Sequence, residues 1–81
     1  MNTLKSLSEL QDNWDGNGAK AFSENLINRV QVEIDKLSVP YEIFPTYRQS
    51  IQIEYYVNGC YCEIEVFENG NIEYYSEVER Y

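Results

Sequence analysis

The dipeptide Asn58-Gly59 constrains this chain more than any other feature. It sits between two runs of alternating character, S-I-Q-I-E-Y-Y-V before it and C-Y-C-E-I-E-V-F after it. Asn-Gly readily takes the two positive-φ positions of a type I′ turn, whose twist matches that of paired antiparallel strands, so the two runs are expected to form a hairpin. A two-residue loop places Val57 opposite Cys60, Tyr55 opposite Cys62, Ile53 opposite Ile64 and Ile51 opposite Val66. Side chains alternate along a strand, so these eight share one face. The other face then holds Tyr56 opposite Tyr61, Glu54 opposite Glu63 and Gln52 opposite Glu65.

Parity decides the next turn. A two-residue loop at Asn69-Gly70 would set Val66 against Glu73 and bury a carboxylate, because a one-residue shift of register flips every side chain. A three-residue loop, Glu68-Asn69-Gly70, with Gly70 in the left-handed position, instead pairs Val66 with Ile72 and Ile64 with Tyr74. The outer face gains Glu65 opposite Glu73 and Glu63 opposite Tyr75. It therefore reads as Tyr56, Tyr61, Tyr75 and Phe67 among Glu54, Glu63, Glu65 and Glu73. Directly opposed carboxylates repel, and no lysine or arginine lies between Arg48 and Arg80 to offset them. Such a face is either a solvated surface whose acids stop the sheet from pairing with its neighbours, or a surface for a basic partner.

The preceding residues read as cover for this meander. Leu4, Leu7 and Leu10 mark one side of a short helix over residues 3–11, too short to stand alone. D-N-W-D-G-N-G-A, residues 12–19, is a turn-rich loop in which Trp14 is expected to fold inward as an anchor. Asn13, Asp15, Asn17, Gly18 and Glu24 fall at EF-hand spacing. Asn in the first place, Lys20 at a hydrophobic place and the lack of a second loop favour plain turn chemistry over a metal site. Ser23 is placed to cap an amphipathic helix bearing Leu26, Ile27, Val30, Ile34 and Leu37, which Val39-Pro40 ends. Tyr41 to Phe44, bracketed by Pro40 and Pro45, reads as an edge strand. Arg48 is the one cation near the acidic face, with Glu65 or Gln52 as its partner. The tail from Ser76 to Tyr81 reads as the fraying end of the last strand. The expected fold is α+β, a short and a longer helix packed on one face of a four-stranded antiparallel meander, α-α-β-β-β-β, with residues 1–81 forming one domain.

With these residues read, the chain resembles a group of small bacterial and phage-borne proteins of unknown function. The resemblance lies in N-W-D-G-x-G-A-K-x-x-S, here Asn13 to Ser23, in P-T-x-x-x-S-I-Q-[IL]-E, here Pro45 to Glu54, and in an E-I-E-[IV] strand, here Glu63 to Val66. Asn17 departs from the aromatic expected at its position. The resemblance implies an α+β fold and a setting in mobile elements or defence systems, and it brings no catalytic residues with it.

Composition narrows the functional classes. With 14 acidic and 6 basic residues the net charge is −8, which disfavours direct binding to nucleic acid, where lysine and arginine must neutralise phosphates. No apolar run reaches membrane-spanning length and no secretory signal is visible, so a cytoplasmic location is the default. Cys60 and Cys62 are expected as buried, reduced thiols; with no histidine in the chain they cannot complete a zinc site. Neither metal nor cofactor is expected. Catalysis is the least supported class, since the paired carboxylates lie on an open face and there is no nucleophile motif or phosphate loop. The leading expectation is an inhibitor, anti-CRISPR-like or antitoxin-like, that occupies a basic site on a nucleic-acid-handling enzyme such as a nuclease or CRISPR effector. Tyr56, Tyr61 and Tyr75 would supply rigid contact area, and Glu54, Glu63, Glu65 and Glu73 would steer association. The alternative is a self-associating structural module, a homodimer through the sheet aromatics or the exposed edge.

Overall fold

The computed structural model describes residues 2–77. Two helices, α1 (Leu4–Ser8) and α2 (Glu24–Asp35), precede four strands, β1 (Tyr41–Thr46), β2 (Ser50–Val57), β3 (Cys60–Phe67) and β4 (Ile72–Ser76). The strands form one antiparallel sheet in the order β1-β2-β3-β4. The α+β meander is thus as expected, and the expected tail from Ser76 ends, for description, at Glu77; residues 78–81 lie outside the described residues.

Both turns have the anticipated form. Asn58 and Gly59 take φ values of 52° and 80°, and β2 pairs with β3 from Val57↔Cys60 to Ile51↔Val66. Gly70 takes φ 98°, and Val66 pairs with Ile72, so the three-residue loop holds. The third turn, Tyr47 to Gln49, places a non-glycine residue, Gln49, at φ 58°. Gln49 is fixed there from two sides: its side-chain oxygen accepts the Lys20 N–H at 3.1 Å and its carbonyl accepts the Glu68 N–H at 2.9 Å.

The helices bury their apolar sides on the inner face. Leu7, Leu26, Val30 and Ile34 meet Ile43, Ile51, Ile53, Ile64 and Val66 in one cluster, with Phe22 closing its end. Helix α1 is shorter than the expected span of 3–11. Its first turn is held by a reciprocal pair in which Thr3 Oγ1 accepts the Ser6 N–H and Ser6 Oγ accepts the Thr3 N–H. At α2, Ser23 Oγ accepts the Leu26 N–H at 3.1 Å and donates to the Glu68 carboxylate. Further along, Arg29 Nη2 donates to the Phe67 carbonyl at 2.9 Å. Both bonds tie α2 to the β3–β4 turn, which fixes where the helix sits on the sheet.

The loop before α2 is built by its own side chains. Asn13 Oδ1 accepts the Gly18 N–H, Asp12 Oδ1 accepts the Ala21 N–H, and Asp15 Oδ1 accepts those of Asn17 and Ala19. The two backbone bonds to Asp15, Asn17 first, hold its carboxyl below the usual aspartate range. The Asn13 and Asp15 oxygens are ones a calcium reading would have needed, and here they accept turn N–H groups. Trp14 folds inward as expected, half-buried against the core, its Nε1 donating to the Lys20 carbonyl and its ring 5.8 Å from that of Phe22.

Two further expectations change. Strand β1 runs on through Pro45 to Thr46; an edge strand tolerates a residue without an N–H. Cys60 and Cys62 are free and half-buried rather than buried. They lie on the inner face as anticipated, but near the hairpin tip, and α2 ends before that tip is covered. Val57 there is 41% exposed, and Tyr74, on the same face, 63%. No helix among the described residues is long and apolar enough to cross a membrane.

Candidate functional site

The outer face of the sheet is organised in rows, because antiparallel pairing sets residues of alternate parity side by side. One row crosses all four strands: Glu42, Glu54, Glu63 and Tyr75. The next toward the hairpin tip holds Tyr56 and Tyr61, and the next in the other direction Phe44, Gln52, Glu65 and Glu73. Glu42 extends the acidic row beyond the residues singled out from sequence. Its signal was available: with Ile43 facing the core, its neighbour on an alternating strand must face outward.

The tyrosines form one cluster. The Tyr56 and Tyr61 rings meet edge to face at 5.6 Å and 68°, and the Tyr61 and Tyr75 rings tilt at 6.4 Å and 58°. Tyr56 is 63% and Tyr75 55% exposed, while Tyr61 is half-buried between them. The Tyr61 hydroxyl donates to Glu63 Oε1 at 2.9 Å. Partial burial first, then this bond and the nearby Glu54 charge, push the Tyr61 hydroxyl well above the ordinary tyrosine range, so it stays a donor at any physiological pH. A shallow groove of about 470 Å³ opens beside Glu42, Glu54 and Tyr56 at the β1 edge.

Glu65 departs from the expectation that it would contact a partner. It is only 3% exposed. Arg48 folds back from the β1–β2 turn to pair with it, Ser50 Oγ donates to its other oxygen, and Gln52 Nε2 approaches at 3.4 Å. The guanidinium of Arg48 also lies 5.5 Å from the centroid of the Phe67 ring. A carboxylate that deep needs such partners, since a buried charge without them is strongly disfavoured. Glu65 therefore belongs to the fold. Of the seven residues expected at the interface, Glu54, Tyr56, Tyr61, Glu63 and Tyr75 are brought together. Glu73 is exposed one row away, opposite Glu65. Among the described residues, Glu42, Glu54, Glu63 and Glu73 make no ion pair.

A second carboxylate, Glu33, is buried on the opposite side of the sheet. Its Oε1 accepts the Tyr74 hydroxyl at 2.7 Å and its Oε2 the Lys36 ammonium at 3.0 Å. The Tyr74 bond first, and then Lys36, hold Glu33 below the ordinary glutamate range against the opposing effect of burial. Glu33 also raises Lys36 and Tyr74 through the same bonds. This cluster pins β4 to α2 and stands apart from the outer face.

The wider concavity of the molecule, a cleft of about 1100 Å³, lies between the Trp14 loop and the β1–β2 turn. Trp14, Lys20, Tyr47 and Gln52 line it. Among the described residues no group of three or more His, Cys, Asp or Glu side chains could hold a metal ion.

No family model, curated protein or solved structure matches the chain. The functional reading therefore starts from the chemistry of the outer face.

Proposed function

We propose that the chain is a small acidic protein-binding inhibitor that occupies a basic, nucleic-acid-binding site on an enzyme, in the manner of anti-CRISPR proteins and some antitoxins. One observation carries the reading: four carboxylates, Glu42, Glu54, Glu63 and Glu73, and a tyrosine cluster share one open sheet face. Arg48, which reaches this face from the β1–β2 turn, is committed to Glu65. Opposed carboxylates cost stability, so a face that keeps them invites a function that uses them. Fixed negative charge steers association with a basic groove. Tyrosines add contact area at little cost in side-chain freedom.

The test is capture by the tagged chain from host lysate, followed by competition. The expected prey is a basic nucleic-acid enzyme, released by raised salt and by excess duplex DNA, and lost with Glu54→Lys/Glu63→Lys. A prey that withstands both the charge reversal and the DNA would remove this reading. Self-association is the second reading, favoured by the uncovered apolar end of the inner face at Tyr55, Val57 and Tyr74. It requires a dimer in sedimentation, and a monomer at high concentration removes it.

A further inference from the structure

Strand β3 presents on its outer side the series Tyr61, Glu63, Glu65, Phe67: aromatic, acid, acid, aromatic. The two halves of this series differ in one respect. At the Phe67 end the fold completes the arrangement itself, since Arg48 pairs with Glu65 and places its guanidinium 5.5 Å from the Phe67 ring centroid. At the Tyr61 end the same two elements stand side by side, and no lysine or arginine among the described residues joins them. Glu63 is oriented by the Tyr61 hydroxyl through one oxygen, and Glu54 lies near enough to the same hydroxyl to share in that bond more weakly, so each carboxylate keeps an oxygen to accept further bonds. Tyr56 and Tyr75 lean on Tyr61 and keep much of their own ring surface exposed. Glu54 and Tyr56 also line the groove at the β1 edge, with Glu42 beside them.

We infer that the Tyr56–Tyr61–Tyr75 cluster with Glu54 and Glu63 is a guanidinium site, filled by an arginine of the partner in the way Arg48 fills the other half of the face. This rests on the reading of the outer face as the interface, and narrows its partner from a basic surface to an arginine-bearing one. The choice of arginine over lysine follows from the chemistry. A guanidinium is planar, stacks on aromatic rings, and meets a carboxylate through two parallel N–H donors. It is also more weakly hydrated than an ammonium, so it loses less on leaving water. Paired N–H donors favour arginine at any carboxylate, and the tyrosine faces add a stacking preference to that.

The experiment is calorimetric titration of the full chain with nona-arginine and nona-lysine peptides at physiological ionic strength. Charge is equal between the probes, so steering alone binds them equally. The expected result is a preference for the arginine peptide of about three- to fivefold, the size of an exposed cation–π contact. In Tyr56→Leu/Tyr75→Leu that preference falls toward what carboxylate pairing alone gives while lysine binding persists, and in Glu54→Gln/Glu63→Gln both peptides weaken. Circular dichroism checks the fold of each variant, and Tyr56→Leu alone serves if the double variant does not fold. Equal affinity for the two peptides would overturn the guanidinium site and leave the acidic-interface reading standing. A preference undiminished by loss of the tyrosines would overturn the site as placed here. Failure to bind either peptide, even at low salt, would overturn the site and the acidic-interface reading together.

Discussion

The two ends of the sheet are made of similar residues and end in different physical states. At the β3–β4 turn end, the inner rows of Ile51, Val66, Ile53 and Ile64 are closed over by α2, and every one of them is buried. At the hairpin tip, Tyr55, Val57, Cys60 and Cys62 continue the same face and remain half-open. The difference lies in length. The 12 residues of α2 span roughly 18 Å at about 1.5 Å per residue. The 8 residues of β2 span roughly 26 Å at about 3.3 Å per residue. Ser23 and Arg29 anchor the helix at the turn end, so the shortfall falls at the tip. Stability and surface are thereby divided along one sheet: the turn end holds the fold, and the tip offers side chains to solvent on both faces.

The largest expected effect follows from that division. Ile53→Ala should destabilise the protein by roughly 2–5 kcal/mol, the cost of a cavity in a closed core. Val57→Ala, four residues along the same strand and on the same face, should cost less than about 1 kcal/mol. Urea unfolding of the two variants measures both, and similar losses would break the comparison. The outer face sharpens it at the next level. Glu65→Ala removes the partner of Arg48 and of Ser50, for an expected loss of about 2–3 kcal/mol. Glu63→Ala removes a charge that repels Glu54, and should change stability by no more than about 0.5 kcal/mol in either direction. Equal costs for the two glutamates would mean that Glu65 is not the structural one.

A smaller loss than those at Ile53 and Glu65 concerns pH. Glu33 is held below the ordinary glutamate value of 4.5 chiefly by the Tyr74 hydroxyl. A carboxyl whose folded value lies below its unfolded value contributes its stability in full above the unfolded value, and loses it as pH falls through the folded one. Tyr74→Phe should raise the titration midpoint of Glu33, followed by carboxyl carbon NMR, and reduce stability at neutral pH by about 1 kcal/mol. An unmoved midpoint would show that the contact does not hold Glu33 in its ionised form.

The register of the whole meander was legible in sequence, down to the three-residue loop at Gly70. The reason is physical: with a side-chain period of two, one misplaced residue would have put Glu73 into the core in place of Ile72. The same rule would have found Glu42 had it been extended to β1. The role of Glu65 was not legible to that depth. Parity put it on the outer face correctly, and Arg48 was named as a partner. Its burial, though, comes from three groups converging from a turn and a neighbouring strand, which no periodicity encodes. The open tip was hidden for a related reason. Cys60 and Cys62 have inward parity, and parity states which way a residue faces without stating whether anything lies opposite.

The order β1-β2-β3-β4 has a consequence for how the protein assembles. Every strand pairs with its immediate predecessor in the chain, across turns of two or three residues, so the loops that must close are short and their closure entropy is small. A sheet of this kind can zip outward from the Asn58-Gly59 hairpin without waiting for distant segments to meet. The helices occupy the opposite position. They precede the sheet in the chain, are too short to persist alone, and acquire a surface to dock on only when the strands that follow them have been made. The elements that come before the sheet in the chain are thus the last to find their place.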